Sequence, residues 1–258
     1  MPDHAGPVMA PWAAAPAEVL RGIHTIVTDV DDTLTYGGRL AGAVLDALDR
    51  LQAAGVRVIP ATAASAGWAS LMATLWPVDA VIAENGGVFL TRGSDGVRRR
   101  FFAPRKPALK GLRDALAREF PQLDAADDQP YRESSLAFKR LPTNEANTAV
   151  LKRLSALKAR GTVNSLWLLA WPGGWDKLAA TRRLLHDAYG EDFTGERERI
   201  LYVGDAENDQ PMFAALPHSV GVSTVVEHPL VHWPRWITEG PGGAGFVEVA
   251  SRIVAARG

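Results

Sequence analysis

The sequence predicts an α/β protein, with a parallel sheet carrying helices on both faces and interrupted by an α+β insertion. Short apolar runs alternate with helical patterns from Ile23 to Ala83, and the same alternation returns from Ile200 to Val222. Between these halves the pattern changes to a hairpin, two amphipathic helices and alternating strands, which marks the insertion.

Ile23 to Thr28 forms the first strand, and Ala43, Leu45, Leu48 and Leu51 mark a helix that Gly55 ends. Val56 to Ala61 is the second strand. A helix through Ala69, Leu71, Met72 and Leu75 stops before Pro77, and Ala80 to Ala83 is the third strand. Connections this long between successive strands call for parallel pairing. In the insertion, Val88 to Leu90 and Val97 to Phe102 flank a turn with Gly93, Asp95 and Gly96, the signature of a hairpin. Leu109, Leu112, Leu116 and Phe120 recur at helical spacing, Leu136 and Phe138 alternate, Val150, Leu154 and Leu157 mark a second helix, and Ser165 to Trp171 reads as a strand. Ile200 to Val203, a helix from about Pro211 to Ala215 and a strand over Ser219 to Val222 complete the sheet, and Pro241 to Gly245 reads as a short Gly-rich loop. The expected division is a core over 19–87 and 175–258, a cap over 88–174 and a poorly ordered arm, rich in Ala and Pro, over 1–18.

An apolar content of 47% over 258 residues is ample for a packed interior. A net charge of −1 gives no reason to expect nucleic acid or an anionic membrane as partner. Cysteine is absent, which removes disulfides, thiolate metal sites and cysteine nucleophiles. No apolar stretch reaches membrane-spanning length, and the start of the chain lacks the basic region and apolar core of a signal peptide, so a cytoplasmic protein is expected. The sequence carries no signal of oligomeric state. His228 and His232 lie four apart but are interrupted by Pro229, so they share no helix face that would hold a metal. Trp167 and Trp171 fall on one strand face, the usual pattern of a core.

Chemistry concentrates where the first strand ends. The run Ile26 to Thr35 places Asp29, Asp31 and Asp32 within four positions, with Asp29 and Asp31 on one side of the chain and Thr33 placed to hydrogen-bond back and hold the turn. Two such charges about 4 Å apart repel by roughly 4 kcal/mol at an effective dielectric near 20, so compensation must come from elsewhere. Ligands of open parallel sheets bind beyond the carboxyl ends of the strands. Thr62 follows the second strand, Lys177 opens the helix after the insertion, and Gly204-Asp205-Ala206-Glu207-Asn208-Asp209 follows the strand at Ile200.

The order D-x-D-x-T, Thr, Lys, G-D-x-x-N-D, spanning nearly the whole chain from Ile23, resembles the four motifs of the haloacid dehalogenase superfamily of phosphohydrolases. The resemblance implies a Rossmann-like core with an inserted cap, and a small-molecule phosphate ester as substrate. It implies that Asp29 attacks phosphorus to form an aspartyl phosphate, and that Asp31 first protonates the leaving oxygen and then takes the proton from the hydrolytic water. It further implies Mg²⁺ held by the Asp29 carboxylate, the Asp31 carbonyl and the Asp205 carboxylate, and phosphoryl oxygens bound by Thr62, the backbone from Ala63 onward and Lys177. Thr33, Asn208 and Asp209 would support this set. A charge count favours the metal: Asp29, Asp31, Asp205 and Asp209 with a phosphate dianion total about −6 against one Lys.

Simpler roles stand beside these. Asp209 precedes Gln210-Pro211 and suits a helix cap as well as a metal contact. Lys177 in a first helical turn opposes the macrodipole, which favours a phosphate role over a surface one. After Thr62, family members have Gly and often Arg; here Ala63 and Ala64 follow, so Ser65 stands as a second candidate for the phosphoryl group. E-N-G-G-V-F at Glu84, R-E-S-S at Arg132, G-W-D-K and G-D-A-E-N-D-Q-P-M-F are similar to the branch with phosphoglycolate, mannosyl-3-phosphoglycerate and sucrose-phosphate phosphatases. Within it Arg132 is a candidate for a second anionic group of the substrate, with Glu133 for a hydroxyl or for orienting Arg132; a cap-surface ion pair is the alternative. Gly173-Gly174 is a candidate hinge. A phosphotransferase resembling phosphomannomutases, and a non-catalytic binding protein on the same fold, are the alternative functions.

Overall fold

The computed structural model describes residues 9–102, 106–164 and 166–258. Residues 1–8 of the expected arm and Ser165 of the expected strand lie outside them.

In chain order the core opens with β1 (Ala10–Pro11), α1 (Ala17–Gly22), β2 (Thr25–Thr28), a small hairpin of β3 (Thr35–Tyr36) and β4 (Arg39–Leu40), and α2 (Gly42–Ala53). β5 (Arg57–Pro60), α3 (Ala66–Leu75) and β6 (Ala80–Ala83) follow. A hairpin of β7 (Val88–Gly93) and β8 (Gly96–Phe101) leads into α4 (Lys106–Glu119), β9 (Leu136–Lys139), α5 (Asn144–Ala156), β10 (Ala159–Val163) and β11 (Trp167–Pro172). The chain then returns through α6 (Lys177–Tyr189), α7 (Phe193–Glu196), β12 (Ile200–Gly204), α8 (Gln210–Ala215), β13 (His218–Gly221), β14 (Trp236–Ile237) and α9 (Gly242–Ala255).

Among the described residues, six strands form a parallel sheet in the order β1-β14-β13-β12-β2-β5. A parallel bridge between Ala61 and Ile82 carries the sheet on to β6, with which β7 pairs antiparallel, and β8 pairs antiparallel with β7 in turn. From β2 the chain steps outward to β5 in one direction, and β12 flanks β2 on the other side. That reversal of order opens a crevice at the carboxyl ends of β2 and β12, where ligands of such sheets bind.

Alternation along the strands sends side chains to two helix layers. Ile26, Val58, Val81 and Leu201 pack with α2, α3 and α9 on one face; Val27, Ile59, Ile82 and Tyr202 pack with α6 and α8 on the other. Val88 and Leu90 of β7 join the first layer and Phe89 the second. The inserted α+β layer pairs β10-β11-β9 antiparallel, with Leu109, Leu116, Val150 and Leu154 of its helices against Leu136, Phe138 and Leu168. Its opposite face, through Ala137, Leu169 and Trp171, meets Ala63 of the core, so the insertion roofs the crevice.

Two expectations are corrected. Residues 10–18 are no loose arm: Ala10 and Pro11 pair with Trp236 and Ile237, and Trp12 is buried edge-on against Trp236, because this edge of the sheet would otherwise expose an unpaired strand. The Gly-rich stretch at 242–245 is the first turn of α9 rather than a loop. A Cβ on Gly243 would lie 2.7 Å from the Leu34 carbonyl and 2.7 Å from Val44, so these glycines let the helix press against the segment that follows β2. The sequence reading also lacks β10, whose pairing with β11 runs from Ala159↔Pro172 to Val163↔Leu168.

Candidate active site

The buried strand β2 delivers Asp29 to the crevice, where its N–H donates to the Val203 carbonyl at 2.8 Å. Beyond it the chain folds back over Val30, whose carbonyl accepts from the N–H groups of Leu34 and Thr35, each at 2.9 Å. Thr35 holds this turn, donating its hydroxyl to Val30 O at 3.1 Å and accepting from Asp32 N at 3.2 Å. Thr33, expected in that role, instead donates to Asp205 Oδ1 at 2.9 Å. Because β12 is the neighbour of β2, Asp205 follows it into the same space.

Asp29, Asp205 and Asp209 are all buried, and each offers an oxygen within 4.8 Å of the others'. Lys177, itself 1% exposed, donates to Asp29 Oδ1 at 2.8 Å and Asp209 Oδ1 at 2.7 Å. It reaches them from the first turn of α6, which Asp176 caps by accepting from Ala179 N. Asp209 also accepts from the Tyr202 hydroxyl at 2.5 Å and from the N–H groups of Asp205 and Ala206 at 3.0 and 3.2 Å. Its oxygens are therefore committed to positioning Lys177 and the Asp205 loop, and its side chain does not cap α8.

One ammonium serves two of the four aspartates gathered here, Asp29, Asp31, Asp205 and Asp209, and proton affinity reflects that. Burial pushes Asp29 up to about 7, with Lys177 opposing and Asp209 and Asp31 adding to the rise. Burial and then the charges of Asp29 and Asp209 push Asp205 up to about 9. Asp31 is likewise raised, chiefly by burial. Burial alone would lower Lys177, but Asp209 and Asp29 hold it above its ordinary value, firmly charged. Two close, hard carboxylates driven toward protonation in this way fit a divalent cation with oxygen ligands such as Mg²⁺.

Above the cluster lies a cavity of about 1120 Å³. Asp29, Asp31, Ala63, Lys177, Asp205 and Asn208 line its floor, and Arg140, Asn144, Thr148, Arg160, Asn164 and Trp171 of the insertion line its upper wall. Thr62 and Ser65 lie behind that floor. Thr62 Oγ1 accepts from Ala64 N at 2.9 Å, shaping the turn that presents Ala63, and Ser65 caps α3 by accepting from Trp68 N.

Arg132 and Glu133 do not line the cavity. Arg132 is 1% exposed and makes four hydrogen bonds: two to the Asp128 carboxylate, at 2.8 and 3.1 Å, one to Ala63 O and one to Ser135 Oγ, both at 3.0 Å. A guanidinium so engaged ties the insertion to the Ala63 turn and is not a seat for a substrate anion. Glu133 lies 4.0 Å from Arg99, and its N–H donates to Glu84.

Sequence reasoning quoted E-N-G-G-V-F as a motif but gave Glu84 and Asn85 no role at the site. Both are buried and both have left-handed backbone, φ 53° and 56°. The only sequence signal is E-N-G-G directly after a strand, where Asn and Gly tolerate positive φ. Asn85 Nδ2 and Thr224 Oγ1, both on the cavity wall, have no hydrogen-bond partner among the described residues.

An acidic cluster at the switch point of a parallel sheet, answered by one buried Lys and roofed by an α+β insertion, makes a capped α/β candidate active site. The fold is that of the haloacid dehalogenase-like hydrolases. It superposes on the Thermoplasma acidophilum 0175 protein with a TM-score of 0.71 and 20% identity, covering 90% of this chain and 98% of that one. A haloacid dehalogenase-like hydrolase from Bacteroides thetaiotaomicron gives 0.69 at 16% identity, covering 90% and 99%. A second protein of that organism, described among phosphatases of the haloalkanoate superfamily, gives 0.66 at 20%, covering 90% and 95%. No family model matches the chain, and no curated protein matches its sequence. Among the described residues no helix is long and apolar enough to cross a membrane.

Proposed function

We propose that the protein is a Mg²⁺-dependent phosphomonoesterase that works through an aspartyl phosphate, on a phosphorylated metabolite of sugar-phosphate type. The observation that carries this reading is the buried Asp29–Lys177 pair with Asp205 just beyond the adjacent strand. Bound by the carboxylates of Asp29 and Asp205 and the carbonyl of Asp31, Mg²⁺ would supply the positive charge that Lys177 alone does not. Lys177 fixes one oxygen of Asp29, and the other attacks phosphorus as the ester P–O bond breaks. Asp31, whose raised proton affinity suits a general acid, gives its proton to the leaving oxygen; as carboxylate it then takes a proton from the water whose oxygen displaces Asp29 from phosphorus. Ala63 and the turn that Thr62 shapes would receive the phosphoryl oxygens.

The cavity supports a substrate larger than a two-carbon acid, and its wall of Asn144, Thr148, Thr162 and Asn164 suits hydroxyl groups. The test is turnover of a panel of phosphate esters with Mg²⁺, followed by phosphorus NMR so that hydrolysis is separated from transfer to a second hydroxyl. Asp29→Asn should be inactive, because an amide cannot form the acyl phosphate; undiminished turnover in that variant rejects the mechanism.

A further inference from the structure

We propose that Asn85 is a phosphoryl-binding residue, donating from Nδ2 to a non-bridging oxygen of the substrate; the proposal rests on the phosphatase reading of the site. Its amide nitrogen is buried on the cavity wall without a partner among the described residues. Buried amide donors are normally satisfied, so an orphaned one on a residue that lines a ligand cavity points to a group supplied by the ligand.

The backbone explains how Asn85 comes to line that cavity. Glu84, Asn85 and Gly86 all have positive φ, at 53°, 56° and 112°. For Glu this conformation is strained and needs support from its surroundings. The support is the Glu84 carboxylate, which accepts five hydrogen bonds of 2.8 to 3.0 Å, from the N–H groups of Ala66, Glu133 and Ser134 and the hydroxyls of Ser134 and Ser135. The turn is seated on both sides by the elements assigned to phosphate. Asn85 N donates to Thr62 O at 3.1 Å and Glu84 N to Ala64 O at 3.0 Å, while a Cβ on Gly86 would lie 2.7 Å from the Asp176 carbonyl and 2.7 Å from Ala180 Cβ. Asn85 thus stands between the Thr62–Ala64 turn and the start of the Lys177 helix, and its amide adds a neutral donor to the Lys177 charge. A carboxylate at this position would repel the same phosphoryl group.

The decisive substitution is Asn85→Gly, which removes the amide and leaves a residue at ease with φ 56°. With the best ester of the panel, kcat/KM should fall about 100-fold, the loss expected for one preorganised donor to a developing oxyanion. Asn85→Asp should fall further. Titration of inorganic phosphate in the presence of Mg²⁺ should show affinity at least about tenfold weaker in Asn85→Gly, with an unchanged far-ultraviolet spectrum and thermal transition. A kcat/KM within about twofold of wild type, or equal phosphate affinity, overturns the assignment. Activity that survives in Asp29→Asn but falls in Asn85→Gly rejects the aspartyl-phosphate mechanism and leaves Asn85 as a phosphoryl ligand. A wild-type protein that neither turns over esters nor binds phosphate overturns both.

Discussion

Stability without metal should fall as pH rises from about 5 to 9. Asp29 has an ordinary value of 3.8 and is pushed up to about 7 in the folded protein, and Asp205 moves further in the same direction. The folded state therefore binds more protons than the unfolded chain between these limits. The stabilisation it gains from protonated Asp29 is complete below about 4 and is lost as pH passes through about 7; for Asp205 the loss continues to about 9. A rise of about 3 units in Asp29, at about 1.4 kcal/mol per unit, sets the scale at about 4 kcal/mol. The assay is urea unfolding at pH 5, 7 and 9, in chelator and in excess Mg²⁺. Mg²⁺ should add little at pH 5 and several kcal/mol at pH 9, because it takes the place of the protons. Metal-free stability that climbs between pH 5 and 9, or an equal Mg²⁺ increment at both ends, would refute the account of the cluster.

Lys177→Met leaves Asp29 and Asp209 buried without their shared cation; loss of turnover and a destabilisation of about 3 to 5 kcal/mol in chemical denaturation are expected. Glu84→Ala strips the partner from three backbone N–H groups and two hydroxyls; it should cost at least about 3 kcal/mol and expose the 132–135 segment to limited proteolysis. Gly204→Ala should lower kcat more than it raises KM in steady-state kinetics, since the added Cβ would collide with the Asp209 carboxylate and, at 2.9 Å, with Tyr202.

The floor of the site was legible because its residues end elements that announce themselves. β2 and β12 are short runs rich in β-branched and apolar residues, T-I-V-T and I-L-Y-V-G, and a run that stops at Asp29 or Asp205 marks both a strand end and a charge. Lys177 could be read because a cation at a helix start needs a reason. Arg132 could not, since its engagement with Asp128 and Ala63 depends on how the insertion folds back onto the core, and no local pattern records that. β10 escaped notice for a related reason: A-R-G-T-V has no alternation, and Gly161 is placed for the approach of Leu151 and Leu154 of α5. The same limit hid α9, whose glycines resemble a loop until Leu34 and Val44 are brought against them.

The hydrogen bond from Thr33 to Asp205 joins residues 172 positions apart, and the β2–β12 pairing beneath it spans a similar length. Closing so long a loop carries a large entropic penalty and slows the search for native topology. During synthesis, the strand that carries Asp29 leaves the ribosome long before Asp205, Lys177 or Asp209 exist. Asp29 and Asp31 therefore meet Asp205 and Asp209 only in the last stage of assembly, when Lys177 is already present to receive them. A nascent chain halted within the insertion would hold a half-sheet whose β2 edge still lacks β12, the species most in need of a chaperone.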